Sequence, residues 1–165
     1  MSDITELTES EKAFLEPYLP PEGRNTSKPS AGHGPDGTAN SRKPSLPFVT
    51  LTYAQSLDSM ISLAPGLRTN LSGPETKSMT HYLRLHHDAI LVGVGTAIPD
   101  DPGLNCRYPG ATFKTQPRPV VVDPQGRWSV DGSKVETLAK EGVGKGVWII
   151  CAREELVHSQ SSIEK

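Results

Sequence analysis

Apolar positions divide the chain near residue 46. From residue 23 to residue 45 there is no Leu, Ile, Val, Met, Phe, Tyr or Trp, only Gly, Pro, Ser, Asn, charged and other small or polar residues. Such a stretch cannot bury enough surface to offset its ordering entropy, and it is expected to be a disordered linker. Ahead of it, residues 1–22 form an arm with a short helix. Thr8 and Glu11 have capping-box spacing, and Phe14, Leu15, Tyr18 and Leu19 are apolar. Pro17, Pro20 and Pro21 then stop the helix. Either the arm docks on the remainder of the chain or it frays as a tail.

Beyond residue 46 the periods alternate. Residues 48–54 carry Phe48, Val49, Thr50 and Tyr53 and read as a strand. Ser72, Pro74 and Glu75 suit a helix start, with Ser72 as cap and Glu75 completing the box. The helix then shows Met79, Tyr82, Leu83 and His86 on one stripe and ends by Asp88. Residues 89–94 are a continuous apolar run, as in a strand covered on both faces. Further strands are expected at 119–123 and 146–151, with a helix between them at 133–141 that turns Val135, Leu138 and Ala139 inward. The alternation indicates an α/β domain with a largely parallel sheet flanked by helices. Ligands in such sheets sit beyond the carboxyl ends of the strands. The polar segments after Ala54, Val94 and Val122 are therefore the places to look.

Composition narrows the chemistry. The chain has 165 residues, enough for one core, but only 35% are apolar and Gly and Pro number 15 each, so loops are extensive. A net charge of −2 gives no general attraction to nucleic acid or to an anionic membrane. Phosphate recognition has to come from a few placed basic groups. Two cysteines, Cys106 and Cys151, are too few for a disulfide scaffold and read as free thiols. No apolar stretch approaches the ~20 residues of a membrane span, and the acidic start lacks the apolar run of a signal peptide. A cytoplasmic protein is expected.

Local motifs are weaker. Gly93-Val-Gly95 lacks the third glycine of a dinucleotide fingerprint, since Ile98 stands there. Residues 142–146 read as a turn between helix and strand, not a phosphate loop. Asp100 and Asp101 suit a turn and cap better than a metal site. His86 and His87 suit a helix end, and no metal is expected.

Several separated motifs then occur in one order. They are Pro47 to Asp58, Ser72-Gly-Pro-Glu-Thr-Lys77, His81-Tyr-Leu-Arg84, His87 through Thr96, and Asp100-Asp-Pro-Gly-Leu-Asn-Cys-Arg107. Together they resemble the riboflavin-biosynthesis reductase family over about residues 46–128. The fungal form fits better than the bacterial one, which follows a deaminase domain. The resemblance implies a dihydrofolate-reductase-like α/β fold and a homodimer. It also implies NADPH-dependent reduction of the ribosyl group of a phosphorylated ribosylaminopyrimidinone to ribityl.

Carried over by position, the resemblance makes Ala54, Thr96 and Asp100 cofactor-binding. It makes Arg84, Leu104 and Arg107 substrate-binding, and a guanidinium fork suits a sugar phosphate. It designates no catalytic acid; Asp58 either orders its loop or helps protonate the opening sugar. Family members continue into a Gly-rich loop around the cofactor phosphates, so residues 46–165 are expected to be the N-terminal portion of a reductase domain, truncated at its C-terminus. The alternative is a non-catalytic remnant acting as a binding or dimerisation module.

Overall fold

In the computed structural model, described for residues 4–21, 46–64, 69 and 71–152, the 89–150 region builds a three-stranded parallel sheet in the order β1-β2-β3. β1 is Ala89–Gly93, β2 Arg118–Val122 and β3 Trp148–Ile150. Ala89 to Gly93 face Arg118 to Val122 in register, and Val120 to Val122 face Trp148 to Ile150. β2 is central: Val120 and Val121 are buried, and Pro119, which has no N–H, is accommodated among them. The expected linker 23–45 lies outside the described residues, as does the end of the 46–165 portion.

The described residues also form four α-helices. α1 is Glu9–Leu15, α2 Pro74–Leu85, α3 Val94–Asp100 and α4 Lys134–Lys140. α1 opens with the Thr8–Glu11 capping box, and a 3-10 turn at Glu16–Tyr18 follows it. The arm is docked over residues 4–21. The Thr5 amide donates to Ser78 Oγ at 3.0 Å, and the Leu7 amide to the Tyr108 hydroxyl at 2.9 Å. Leu7 and Leu15 are buried with Cys106 and Tyr108, against Met79, Tyr82 and Leu83 of α2. α4 starts at Ser133, whose side chain accepts from the Glu136 amide, and it buries Val135.

Four local expectations change. α2 begins one residue later than a Ser72 cap requires: Gly73 is the N-cap, makes no side-chain hydrogen bond, and Pro74 follows in the first turn. Residues 48–54 form no strand, because no strand among the described residues pairs with them. β propensity records fit to a pleated neighbour, and that neighbour is missing here. β1 is not covered on both faces; Leu91 is 62% exposed. The segment after β1 is not loop. Val94 and Ala97, one turn apart, pack on Val121 and Trp128 and hold α3 together despite Pro99 inside it.

Candidate functional site

α2 and the loop 101–107 meet around His81. Arg84 lies on α2 and extends Nη1 to the Asn105 carbonyl at 2.9 Å. Its Nε is buried without a hydrogen-bond partner among the described residues, and burial penalises its charge, lowering its pKa from the ordinary arginine value. Arg107 is exposed, and its amide donates to His81 Nδ1 at 2.9 Å. The Cys106 thiol donates to the His81 carbonyl at 3.2 Å, and Gln116 brackets the Cys106 peptide with two hydrogen bonds, at 2.7 and 2.9 Å. Among the described residues, neither arginine has a carboxylate within ion-pair distance. The Arg84 guanidinium is thus bonded to the loop 101–107 and the Arg107 guanidinium is carried on it, neither with a carboxylate partner among the described residues, and an anion suits them.

Leu104 lies in the same loop. It is buried, with a left-handed backbone (φ 50°). A non-glycine residue there costs on the order of 1 kcal/mol or more, and it persists only when its surroundings determine it. Those surroundings are visible. A Cβ on Gly103 would come within 2.9 Å of the Leu138 side chain, so α4 is pressed against the loop. Asp101, also left-handed, caps α3 and accepts from the Lys134 amide at 3.0 Å. The end of α3 is thereby pinned to the start of α4.

Thr96 and Asp100 lie four residues apart on α3, on one face. Thr96 is exposed and Asp100 half-buried, and neither side chain has a partner among the described residues. The helix N-cap is Gly93, so Thr96 is in the first turn and is not the cap. Ala54 is elsewhere. It lines a cleft of about 430 Å³ between residues 50–54, α2 and the arm, with Phe14, Tyr18, Met79 and Leu83 among its walls. Neither Thr96 nor Asp100 lines that cleft. The structure therefore gathers Arg84, Leu104 and Arg107, keeps Thr96 with Asp100, and leaves Ala54 apart.

Asp58 accepts from Ser56 Oγ within the turn 56–60, and that hydrogen bond lowers its pKa. A fully exposed carboxylate held ionised in this way orders its turn and is a poor proton donor. His86 packs edge-on against Tyr82, and His87 Nδ1 meets the Leu83 carbonyl at 2.7 Å. No group of three or more His, Cys, Asp or Glu among the described residues is arranged to hold a metal ion.

One residue at the site has no role assigned to it by the sequence motifs. His81 reads as one more residue on a helix face, and only the fold joins it to Arg107. Asp123, just beyond the carboxyl end of β2, opens the polar segment after Val122 that the sequence marks as a place to look. It is fully buried: Oδ2 accepts from the Trp128 amide at 2.8 Å, and Oδ1 lies 3.9 Å from Arg127 Nε with no hydrogen-bond partner among the described residues.

The RibD C-terminal domain family matches the chain over residues 47–160. The chain is 43% identical over 157 residues to the 2,5-diamino-6-ribosylamino-4(3H)-pyrimidinone 5′-phosphate reductase of Saccharomyces cerevisiae, across 95% of this chain and 58% of that protein. It is 47% identical over 147 residues to the reductase of the same name from Eremothecium gossypii, across 86% of this chain and 53% of that protein. A solved structure of the Saccharomyces riboflavin biosynthesis reductase Rib7 superposes with a TM-score of 0.61 at 40% identity, over 87% of this chain and 51% of that one. The dihydrofolate-reductase-like α/β class expected from the motifs is thus the class observed. The chain spans about half the length of the curated relatives it matches.

Proposed function

The chain belongs to the RibD C-terminal domain family, and on that premise we propose that it serves the reductase step of riboflavin biosynthesis. The reaction is reduction of the ribosyl group of 2,5-diamino-6-ribosylamino-4(3H)-pyrimidinone 5′-phosphate to ribityl, with NADPH as reductant. One observation carries the reading: Arg84 and Arg107 are fixed to one loop with no carboxylate partner among the described residues. A substrate phosphate is the anion of matching chemistry. Leu104, buried beside them, offers the base an apolar contact.

Thr96 and Asp100 fit a nicotinamide cofactor. A hydroxyl and a carboxylate on one face of α3, without partners among the described residues, suit ribose hydroxyls or a carboxamide, whereas the carboxylate repels phosphate. When bound, the cofactor supplies hydride to the sugar C1. The protein's part is placement: the arginines fix the phosphate end, α3 fixes the cofactor, and Ala54 stands in the reading as the small residue beside the nicotinamide. The working unit in this reading is a cytoplasmic homodimer, with the arm 1–22 and linker 23–45 preceding the reductase portion 46–165.

The test mixes purified chain, NADPH and the ribosylaminopyrimidinone phosphate, with the Saccharomyces reductase alongside. Loss of the near-ultraviolet absorbance of NADPH is expected. A flat trace beside an active relative sinks catalytic competence. A second reading, a non-catalytic binding or dimerisation module, draws on the exposed apolar side chains Leu57, Leu63 and Trp148. NADPH titration separates the two, because only the first requires cofactor binding.

A further inference from the structure

His81 is outside the ligand-binding set above, yet its ring feels the charge of both arginines. The residue is buried (4% exposed). Burial, reinforced by Arg84 and Arg107, pushes its pKa down to about 3, so the ring is neutral at neutral pH. A neutral imidazole has one N–H donor and one acceptor. Nδ1 accepts from the Arg107 amide, so the proton resides on Nε2. Nε2 in turn lies 3.2 Å from Arg107 Nη2. Both atoms are donors in this state and cannot bond each other.

Two donors thus stand side by side, one on a ring clamped by backbone, the other on an exposed guanidinium. Among the described residues no acceptor is common to both. Arg84 Nε, buried, is also without a hydrogen-bond partner among the described residues.

We propose that His81 is an uncharged third donor of the anion subsite, its Nε2–H and the Arg107 guanidinium converging on one phosphate oxygen of the substrate. The inference rests on the reading of Arg84 and Arg107 as substrate-binding. The ring performs two tasks: Nδ1 holds the Arg107 backbone in place, and Nε2 meets the ligand. A neutral donor suits this position because a third positive charge beside two arginines would raise the cost of the empty site.

Nitrogen-15 NMR of the unmodified chain at neutral pH reads the His81 tautomer without any substitution. Ribose 5-phosphate is the titrant. The expected result is a proton on Nε2 in the free chain and a shift of the Nε2 resonance on titration. His81→Asn keeps an acceptor near the Nδ1 position but removes the Nε2 donor. It should preserve the Arg107 amide resonance while weakening ribose 5-phosphate by about tenfold or more, the size of a lost hydrogen bond to a charged group. A merely structural His81 predicts that His81→Asn binds as tightly as the parent. That outcome, a proton on Nδ1, or binding with a silent Nε2 overturns this inference alone. No binding by the unmodified chain overturns the substrate reading of the arginines and this inference with it.

Discussion

Arg107 and Asp100 bear on different ligands in the proposed reaction, which makes them separable by kinetics. Arg107→Ala removes an exposed guanidinium from the anion loop. It should raise the substrate KM by about tenfold or more, the range of a charge-assisted hydrogen bond, and leave the NADPH KM near its parent value. Asp100→Ala should weaken NADPH instead, by a similar factor, read by fluorescence titration. Equal effects of either change on both ligands would remove the division of labour. His81 contributes a pH signature of its own. The ring titrates at an ordinary 6.5 when unfolded and at about 3 when folded. Between those values the unfolded chain binds more protons, so stability rises with pH and is lost as acid is added through that window. The His81 share amounts to at most about 1.4 kcal/mol per pH unit. Urea denaturation across the window should show it, and His81→Asn should flatten it; parallel curves for parent and variant would count against a buried neutral ring. The division between Arg107 and Asp100 follows from the sequence resemblance, but the pH signature of His81 was not legible in the sequence. The motifs placed Arg84, Leu104 and Arg107 by resemblance, but the tautomer of His81 follows from distances across 26 residues of chain.

At the scale of elements, the arm is the clearest case of local code with a tertiary outcome. Thr8 and Glu11 announce the start of α1, and the capping box forms. Docking was an even alternative in sequence, since Phe14, Leu15, Tyr18 and Leu19 could equally mark a tail; burial of Leu7 and Leu15 with Cys106 and Tyr108 decides it. Leu15→Ala should therefore destabilise the chain by about 2–4 kcal/mol as a core truncation. Thr8→Ala should cost about 1 kcal/mol through the lost cap. Chemical denaturation measures both, and a Leu15→Ala effect below that of Thr8→Ala would mean the arm is not part of the folded unit. β1, β2, β3, α2 and α4 were legible because apolar runs and helical stripes were bounded by Gly, Pro and Ser. α3 was not: Gly95 and Pro99 argue for loop, and only the packing of Val94 and Ala97 on Val121 outweighs them. Residues 48–54 erred the other way, with strand composition and no partner strand among the described residues.

For the whole molecule the sheet poses the question of what covers it. β2 is buried, whereas both flanking strands present apolar side chains to solvent: Leu91 on β1, and Trp148, Ile149 and Ile150 on β3. The Arg118 guanidinium lies 5.3 Å from the Trp148 ring centroid and covers only part of it. Parallel strands are ordinarily covered on both faces, and an exposed apolar strand at a sheet edge invites pairing with another chain. Self-association that grows with protein concentration is therefore expected, measured by size exclusion with light scattering. Ile150→Lys should reduce it, since a lysine in an edge strand opposes further pairing while the buried residues of β2 are left untouched. A chain that stays monomeric at every concentration would remove the dimerisation-module reading and the role of β3 in any dimer. If association persists in Ile150→Lys, the contact lies away from β3, and the exposed row of Leu57, Ile61 and Leu63 is the next surface to change. NADPH added to the same samples links this scale to the site. Thr96 and Asp100 sit on α3, which packs against β1 and β2, so cofactor binding that alters association would require the sheet and the cofactor helix to respond as one unit.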